Sequence, residues 1–144
     1  MIGRRVVALL VLAATLVVAG CGGSAVPAPV AAATGRQPAA LPTEVPPAEA
    51  ARLRDAGAFV LDVREPAEWA EIHVLGATLF PLGQLRGRLA EIPRDRQVVV
   101  YCRSGNRSAQ ARNILVGAGF PSVTSVAGGI RAWQAAELPR ESGS

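Results

Sequence analysis

The sequence predicts an open α/β fold, with a parallel sheet of four to five strands and helices on both faces. Short apolar runs without polar alternation recur along the second part of the chain, and residues 97–101 (QVVVY) are the clearest example. Segments with helical patterning separate these runs. Strands that are apolar on both faces and alternate with helices are typical of a parallel sheet covered on both sides.

The first elements are predicted from local composition and from the glycine and proline residues at their ends. We expect a helix over residues 48–56, which Gly57 ends. The apolar residues 59–63 then predict a buried strand. Residues 66–72 predict a short helix with Pro66 in its first turn, where a missing N–H group costs nothing.

The middle of the domain predicts a brief strand, a longer helix and a second buried strand. Residues 77–80 form the brief strand, which Pro81 ends. Residues 82–92 place three leucines and an isoleucine on one stripe, which indicates an amphipathic helix. Residues 97–101 are rich in β-branched side chains and predict a strand.

The last elements repeat the same alternation. We expect a helix over residues 108–118, which Gly119 ends, and a strand over residues 122–126. Residues 130–137 predict the final helix. No internal repeat is visible across these segments.

The N-terminus has the pattern of an export signal. Arg4 and Arg5 precede residues 6–19, which carry no charge and a single polar side chain. As a helix this run would span roughly 21 Å, which is short of a hydrocarbon core of about 30 Å. We therefore interpret residues 1–20 as a removable signal peptide rather than a permanent membrane span.

Residues 18–21 (VAGC) resemble a bacterial lipobox, in which an aliphatic and two small residues precede a cysteine. That resemblance implies that Cys21 becomes the lipidated first residue of the mature protein. The membrane is then a partner through Cys21, and the domain is extracytoplasmic, on the periplasmic or cell-surface side. Several lipid chains on one residue give stable anchoring.

Composition divides the remainder of the chain. Residues 21–43 are rich in Pro, Ala and Gly and contain few large apolar side chains, which predicts a flexible tether. Residues 44–140 then form the folded domain, and residues 141–144 are expected to be a loose tail.

The overall composition excludes several classes of protein. The 144 residues include 15 basic side chains, two cysteines and one histidine, and the net charge is +4. So few cysteine and histidine residues exclude a zinc finger, a disulfide-rich scaffold and an iron–sulfur cluster from this chain alone, and we expect neither a metal nor a cofactor. The arginines are scattered and aromatic residues are 4% of the chain, so a nucleic-acid partner is not expected.

The loop after the strand at residues 97–101 is the most informative segment. Its residues are polar or cationic after the leading cysteine: Cys102, Arg103, Ser104, Gly105, Asn106, Arg107 and Ser108. A loop between a strand and a helix presents backbone N–H groups and the positive end of the helix dipole, which stabilise a thiolate. Gly105 permits the turn, Ser108 is a candidate N-cap, and Arg103 and Arg107 are candidates for contact with an anion.

Several motifs together resemble the single-domain rhodanese family of sulfurtransferases. The matching segments are residues 61–66 (LDVREP), Glu68-Trp69, His73 with Gly76-Ala77, residues 102–108 (CRSGNRS), residues 118–120 (AGF), and residues 126–130 (VAGGI) with Trp133. The resemblance covers most of residues 44–140. Ile72 and Leu75 depart from the usual glycine and proline beside His73, but neither lies in the cysteine loop.

The resemblance implies a two-step sulfur transfer. The Cys102 thiolate would take the outer sulfur of thiosulfate or a similar anionic donor and would pass it from a persulfide to cyanide or to a thiol, which is a small molecule or a protein. The loop from Arg103 to Ser108 would hold the negative charge. Asp62 and Arg64, at the end of the strand predicted over residues 59–63, would form the rim of the site or support it. His73 and the two tryptophans are interpreted as structural.

The sequence is also compatible with two alternative functions. Cysteine-dependent phosphatases and arsenate reductases also place a thiolate before a helix, but their loop reads Cys-x5-Arg. Here Ser108 is six residues after Cys102 and Arg107 is five. A non-enzymatic module, such as a sulfane-sulfur carrier, redox sensor or partner-binding domain, would share the same sequence features.

Overall fold

The computed structural model describes residues 38–143, which form a five-stranded parallel sheet covered by helices, so the predicted fold class is confirmed. The strands are β1 Glu44–Val45, β2 Phe59–Asp62, β3 His73–Val74, β4 Thr78–Leu79, β5 Val98–Tyr101, β6 Val123–Val126 and β7 Arg140–Glu141. The helices are α1 Pro47–Asp55, α2 Pro66–Glu71, α3 Leu82–Leu85, α4 Asn106–Gly117 and α5 Gly129–Ala135.

The strand order places the cysteine loop at the centre of the sheet. The order is β1-β6-β5-β2-β4 with every pair parallel, whereas β3 and β7 form a separate antiparallel pair. Asp62 at the end of β2 lies opposite Tyr101 at the end of β5. The segments that begin at Val63 and Cys102 therefore leave the sheet side by side at its carboxyl edge, where open α/β folds bind ligands.

The core consists of two apolar layers, one on each face of the sheet. Val100 packs on the layer that includes Leu115 of α4, whereas Val99 packs on the layer that includes Trp133 of α5. All four side chains are buried. Because both faces of β5 are covered, its sequence is apolar throughout, and each such burial contributes about 1.5–3 kcal/mol.

The prediction of one continuous helix over residues 82–92 is wrong. The segment divides into α3 and a short 3-10 helix at Leu89–Glu91. Gly83 and Gly87 weaken a continuous helix by about 1 kcal/mol each relative to alanine. Leu85 and Ile92 nevertheless remain buried, so the apolar stripe reports burial correctly without an unbroken helix.

The folded domain extends past both of its predicted ends. Before residue 44, the backbone oxygens of Ala39 and Thr43 accept hydrogen bonds from the hydroxyl groups of Ser122 and Ser125. At the other end, Glu141 pairs with β3, so it belongs to the domain rather than to a loose tail beginning at residue 141.

The predicted signal peptide, Cys21 and most of the predicted tether lie outside the described residues. Within residues 38–143, no helix is both long enough and apolar enough to cross a membrane.

Candidate active site

Cys102 lies directly after β5, in a loop that returns at once to α4. The loop ends at Gly105, which adopts φ +112° and is the N-cap of α4. This left-handed conformation is accessible to glycine and aims the Gly105 N–H group at Cys102 Sγ, over a distance of 3.1 Å. The sulfur therefore sits at the amino-terminal end of a 12-residue helix, where the helix dipole favours an anion.

Ser108 is not the N-cap predicted from the sequence, because α4 begins two residues earlier. Its side chain is buried, and its hydroxyl donates to the Gly105 carbonyl at 2.9 Å. The same hydroxyl also reaches Cys102 and lowers the pKa of its thiol. Since a hydroxyl carries a single proton, ionisation of the sulfur favours its donation to the thiolate.

The environment of Cys102 favours its ionised form in spite of burial. Burial raises the pKa of the thiol, because a charge is poorly solvated in the interior. Hydrogen bonds from the Ser108 hydroxyl and from the backbone N–H groups of Ser108, Gly105 and Ser104 outweigh that effect. The net pKa of Cys102 is therefore below the ordinary thiol value, and the site favours the thiolate, which is the nucleophilic form.

Arg107 does not present a free guanidinium to an anionic donor, contrary to the prediction from the sequence. Its two terminal nitrogens each lie 2.8 Å from a carboxylate oxygen of Glu68. These hydrogen bonds, opposed by partial burial, lower the pKa of Glu68 to about 2. The charge of Arg107 still favours the Cys102 thiolate, although Glu68 already occupies one edge of the guanidinium.

Glu68 is the site residue that the sequence reasoning missed. The motif Glu68-Trp69 was visible, but 39 positions separate Glu68 from Arg107, and no local pattern joins them. Glu68 also accepts the Glu65 N–H group in a capping box at the start of α2. It therefore connects α2 to the cysteine loop.

The remaining loop side chains face solvent. Arg103, Ser104 and Asn106 are exposed, and Arg103 has no ion-pair partner among residues 38–143. The backbone of the loop is more constrained, because the Cys102 carbonyl accepts the Ile130 N–H group at 2.8 Å. Arg103 is thus the loop arginine whose charge remains available to a substrate.

Asp62 and Arg64 form a buried ion pair beneath the site. Arg64 Nη2 lies 2.6 Å from Asp62 Oδ2, and Arg64 also donates to the carbonyl oxygens of Glu68 and Ile72. Burial lowers the pKa of Arg64, but the bonds to Asp62 raise it by more. Asp62 is completely buried and is not on the rim, whereas Arg64 joins β2 to α2.

His73 and the two tryptophans have structural partners. The His73 ring stacks on Trp69 with centroids 3.7 Å apart, and its Nδ1 lies 3.0 Å from the Trp69 carbonyl oxygen. Its Nε2 lies 3.3 Å from Glu141. Trp133 is buried, and its indole N–H donates to the Pro139 carbonyl.

The geometry disfavours tetrahedral phosphate chemistry. In a Cys-x5-Arg loop the arginine clamps the phosphate oxygens. Here the position six residues after Cys102 is Ser108, whose hydroxyl points back into the loop, and Arg107 is held by Glu68. The loop offers N–H donors to one sulfur atom but no free arginine within it that corresponds to the phosphate clamp.

The sequence of the domain is similar to those of known proteins. A family model described as "Rhodanese-like domain" matches residues 46–136. A sulfurtransferase from Allochromatium vinosum is 43% identical over 81 residues, which cover 56% of this chain and 76% of that protein. Thiosulfate sulfurtransferase GlpE from Pseudomonas fluorescens is 38% identical over 90 residues, which cover 62% of this chain and 83% of that protein.

A solved structure shows the same architecture. The crystal structure of a rhodanese-related protein from Thermoplasma volcanium aligns with a TM-score of 0.65 at 31% sequence identity. The alignment covers 69% of this chain and 98% of that one. The similarity therefore extends over most of the folded domain rather than an isolated motif.

Proposed function

The chain belongs to the rhodanese family of sulfurtransferases, and we propose that it moves a sulfane sulfur from thiosulfate, or a similar anionic donor, to a thiol or cyanide through a persulfide on Cys102. The observation that carries this proposal is the placement of Cys102 Sγ in a ring of backbone N–H groups at the start of α4, with the Gly105 N–H at 3.1 Å. The name of the Pseudomonas fluorescens relative supports thiosulfate as the donor.

The first half-reaction loads the cysteine. The Cys102 thiolate attacks the outer sulfur of thiosulfate, a new S–S bond forms, and the original S–S bond breaks as sulfite leaves with its electron pair. The persulfide that remains is anionic. The N–H groups of Ser104, Gly105 and Ser108 that favour the thiolate can also stabilise this charge.

The second half-reaction transfers the sulfur from Cys102 to the acceptor. A thiolate or cyanide attacks the outer sulfur of the persulfide, and the Cys102 thiolate leaves. Because Cys102 is the leaving group, its lowered pKa favours this step as well as the first. Neither step needs an external oxidant, a reductant or a metal.

The direct test is thiocyanate formation from thiosulfate and cyanide. We expect turnover by the wild-type chain and its complete loss in Cys102→Ala, while the variant keeps the wild-type circular dichroism spectrum. Ser104→Ala is the matched control, because it changes a loop side chain but keeps the backbone N–H group. Persulfide formation without thiocyanate or thiol turnover would replace the enzyme proposal with a sulfur-carrier function.

We also propose that the domain is lipid-anchored outside the cytoplasm through Cys21. The support comes from the sequence: Arg4 and Arg5, the uncharged residues 6–19, and the lipobox-like residues 18–21. Removal of residues 1–20 leaves 13 basic and 11 acidic residues, so half of the positive net charge belongs to the export signal.

Cell fractionation tests the anchor. In a bacterial host given an alkyne-labelled fatty acid, we expect the wild-type chain to carry the label and to sediment with membranes. Cys21→Ser should lose the label, whereas Cys102→Ala should keep it. An unlabelled wild-type chain in the soluble fraction would contradict the proposal.

A further inference from the structure

A pocket of about 390 Å³ opens beside the cysteine loop, between α2 and α5. Arg103 contributes to it from the loop, Arg131 from α5 and Glu71 from α2. Thiosulfate is a small anion that needs much less space, whereas pockets for small organic molecules begin at about 300 Å³. The size of this pocket therefore fits a second, larger reactant.

Only some of the charged side chains that line the pocket have ion-pair partners. Arg64 is bound to Asp62, and Glu68 is bound to Arg107. Within residues 38–143, Arg103, Arg131 and Glu71 are exposed and have no ion-pair partner. The unpaired lining charges therefore leave a net positive charge, supplied by two arginines.

The two arginines are connected through the backbone. The Arg131 N–H group donates to the Arg103 carbonyl at 3.4 Å, beside the shorter bond from Ile130 to the carbonyl of Cys102. Arg131 is consequently held against the same loop that carries the nucleophile. A guanidinium group is a planar fork of donors that matches a carboxylate.

We propose that this pocket binds the sulfur acceptor, a small thiol that carries a carboxylate, and that Arg131 and Arg103 determine this preference. The proposal rests on the function proposed above and adds the class of acceptor and the residues that select it. The carboxylate lies against the two arginines while the thiol reaches the persulfide on Cys102.

The transfer step balances without another reactant. The acceptor thiol loses its proton to solvent, and its thiolate attacks the outer sulfur of the Cys102 persulfide. One S–S bond forms and one breaks, the electron pair of the broken bond returns to Cys102 as a thiolate, and the acceptor leaves as a persulfide.

The test compares two thiols of similar size, 3-mercaptopropionate and 2-mercaptoethanol, with thiosulfate as the donor and the full chain in detergent. We expect Arg131→Gln to lower the ratio of their kcat/KM values, charged over neutral, about tenfold, as for a lost charge-assisted hydrogen bond. Arg103→Gln should lower the same ratio, and it serves as a second variant if Arg131→Gln does not fold.

Arg96→Gln is the matched control, because Arg96 is an exposed arginine at the opposite end of β5. It should leave the ratio unchanged. An equal loss for both thiols, or an unchanged ratio in both pocket variants, would overturn the proposal. Sulfur loading of Cys102 is measured first by intact mass, so a chain that takes no sulfur from thiosulfate refutes the proposed function, whereas a loaded chain without thiol selectivity refutes only this inference.

Discussion

At the scale of single residues, the reactivity of Cys102 results from two opposed effects. The residue is 1% exposed, and burial alone would raise its thiol pKa. Short-range hydrogen bonds instead lower the net pKa of the thiol, because each donor is fixed by the turn at Gly105 or by the first turn of α4. The nucleophile is therefore prepared mainly by the backbone and by Ser108, rather than by an arginine in direct contact.

Ser108 provides a test at this scale. Ser108→Ala removes a donor to the thiolate, while the Gly105 carbonyl keeps its bond from the Ala109 N–H group. We expect the pKa of Cys102 to rise and kcat/KM for thiosulfate at neutral pH to fall about tenfold, as for the loss of a hydrogen bond to a charged group.

The measurement is the pH dependence of iodoacetamide alkylation, monitored on the tryptic peptide that contains Cys102. Because the wild-type pKa lies below the ordinary thiol value, the wild-type rate should reach its plateau at lower pH than the Ser108→Ala rate. Ser104→Ala, which retains its N–H group, should follow the wild type. Coincident profiles for Ser108→Ala and wild type would show that Ser108 does not lower the pKa of Cys102.

At the scale of elements, the cysteine loop depends on its contact with the start of α5. Gly129 has φ +58°, and a Cβ atom there would collide with the Cys102 carbonyl oxygen and lie 2.8 Å from the Arg103 carbonyl carbon. These are backbone atoms, so they cannot move without moving the loop. Glycine at this position lets α5 pack against the loop and hold it in place.

Gly129→Ala should therefore both destabilise the domain and impair catalysis. We expect a loss of about 3 kcal/mol in unfolding free energy, from the left-handed backbone and the steric conflict together, and a large fall in kcat. Urea unfolding and the thiocyanate assay measure the two effects. Gly117→Ala is the control, because a Cβ there meets no atom within 4 Å, so it should not destabilise the domain. Wild-type stability and activity in Gly129→Ala would contradict the role given to this contact.

The ion pair between Glu68 and Arg107 connects α2 to α4 and should make stability depend on acid pH. The pKa of Glu68 is lowered from 4.5 to about 2 in the fold, so its carboxylate stabilises the domain above pH 4.5. This contribution is lost as the pH falls from 4.5 towards about 2, because the unfolded chain then binds the proton more readily.

Glu68→Gln should be less stable than wild type at pH 6, and the difference should shrink on acidification through this range. Thermal unfolding followed by circular dichroism at a series of pH values measures it. Glu137→Gln replaces an exposed carboxylate with no ion pair in the described region, and its difference from wild type should not show this dependence. A constant difference between Glu68→Gln and wild type would show that the charge of Glu68 is not the cause.

At the scale of the whole molecule, local patterns predict most of the sheet but not the contacts between distant segments. The β-branched run at residues 97–101 is sufficient to predict β5, since it is buried on both faces. The strands β3 and β7 have two residues each, and no period can be read from so short a segment. They form because His73 and Glu141 meet across the fold.

The same distinction holds for the site. The cysteine, the glycine turn and the following helix are consecutive in sequence, so the loop and its preference for an anion were predictable. The ion pair of Arg107 was not predictable, because its partner Glu68 is 39 positions away in the sequence. The N-cap was wrongly predicted at Ser108. The helix begins earlier because Gly105, three residues before Ser108, takes a left-handed conformation that the sequence alone does not reveal.

The central claim is that Cys102 carries the transferred sulfur, and a single loading experiment tests it. The full chain is incubated with thiosulfate without an acceptor, freed of excess donor, and analysed by intact mass and peptide mapping. We expect one added sulfur atom on the peptide that contains Cys102, its release as thiocyanate when cyanide is added, and no loading in Cys102→Ser. Thiocyanate formation by Cys102→Ser, or a wild-type Cys102 that takes no sulfur, would contradict it.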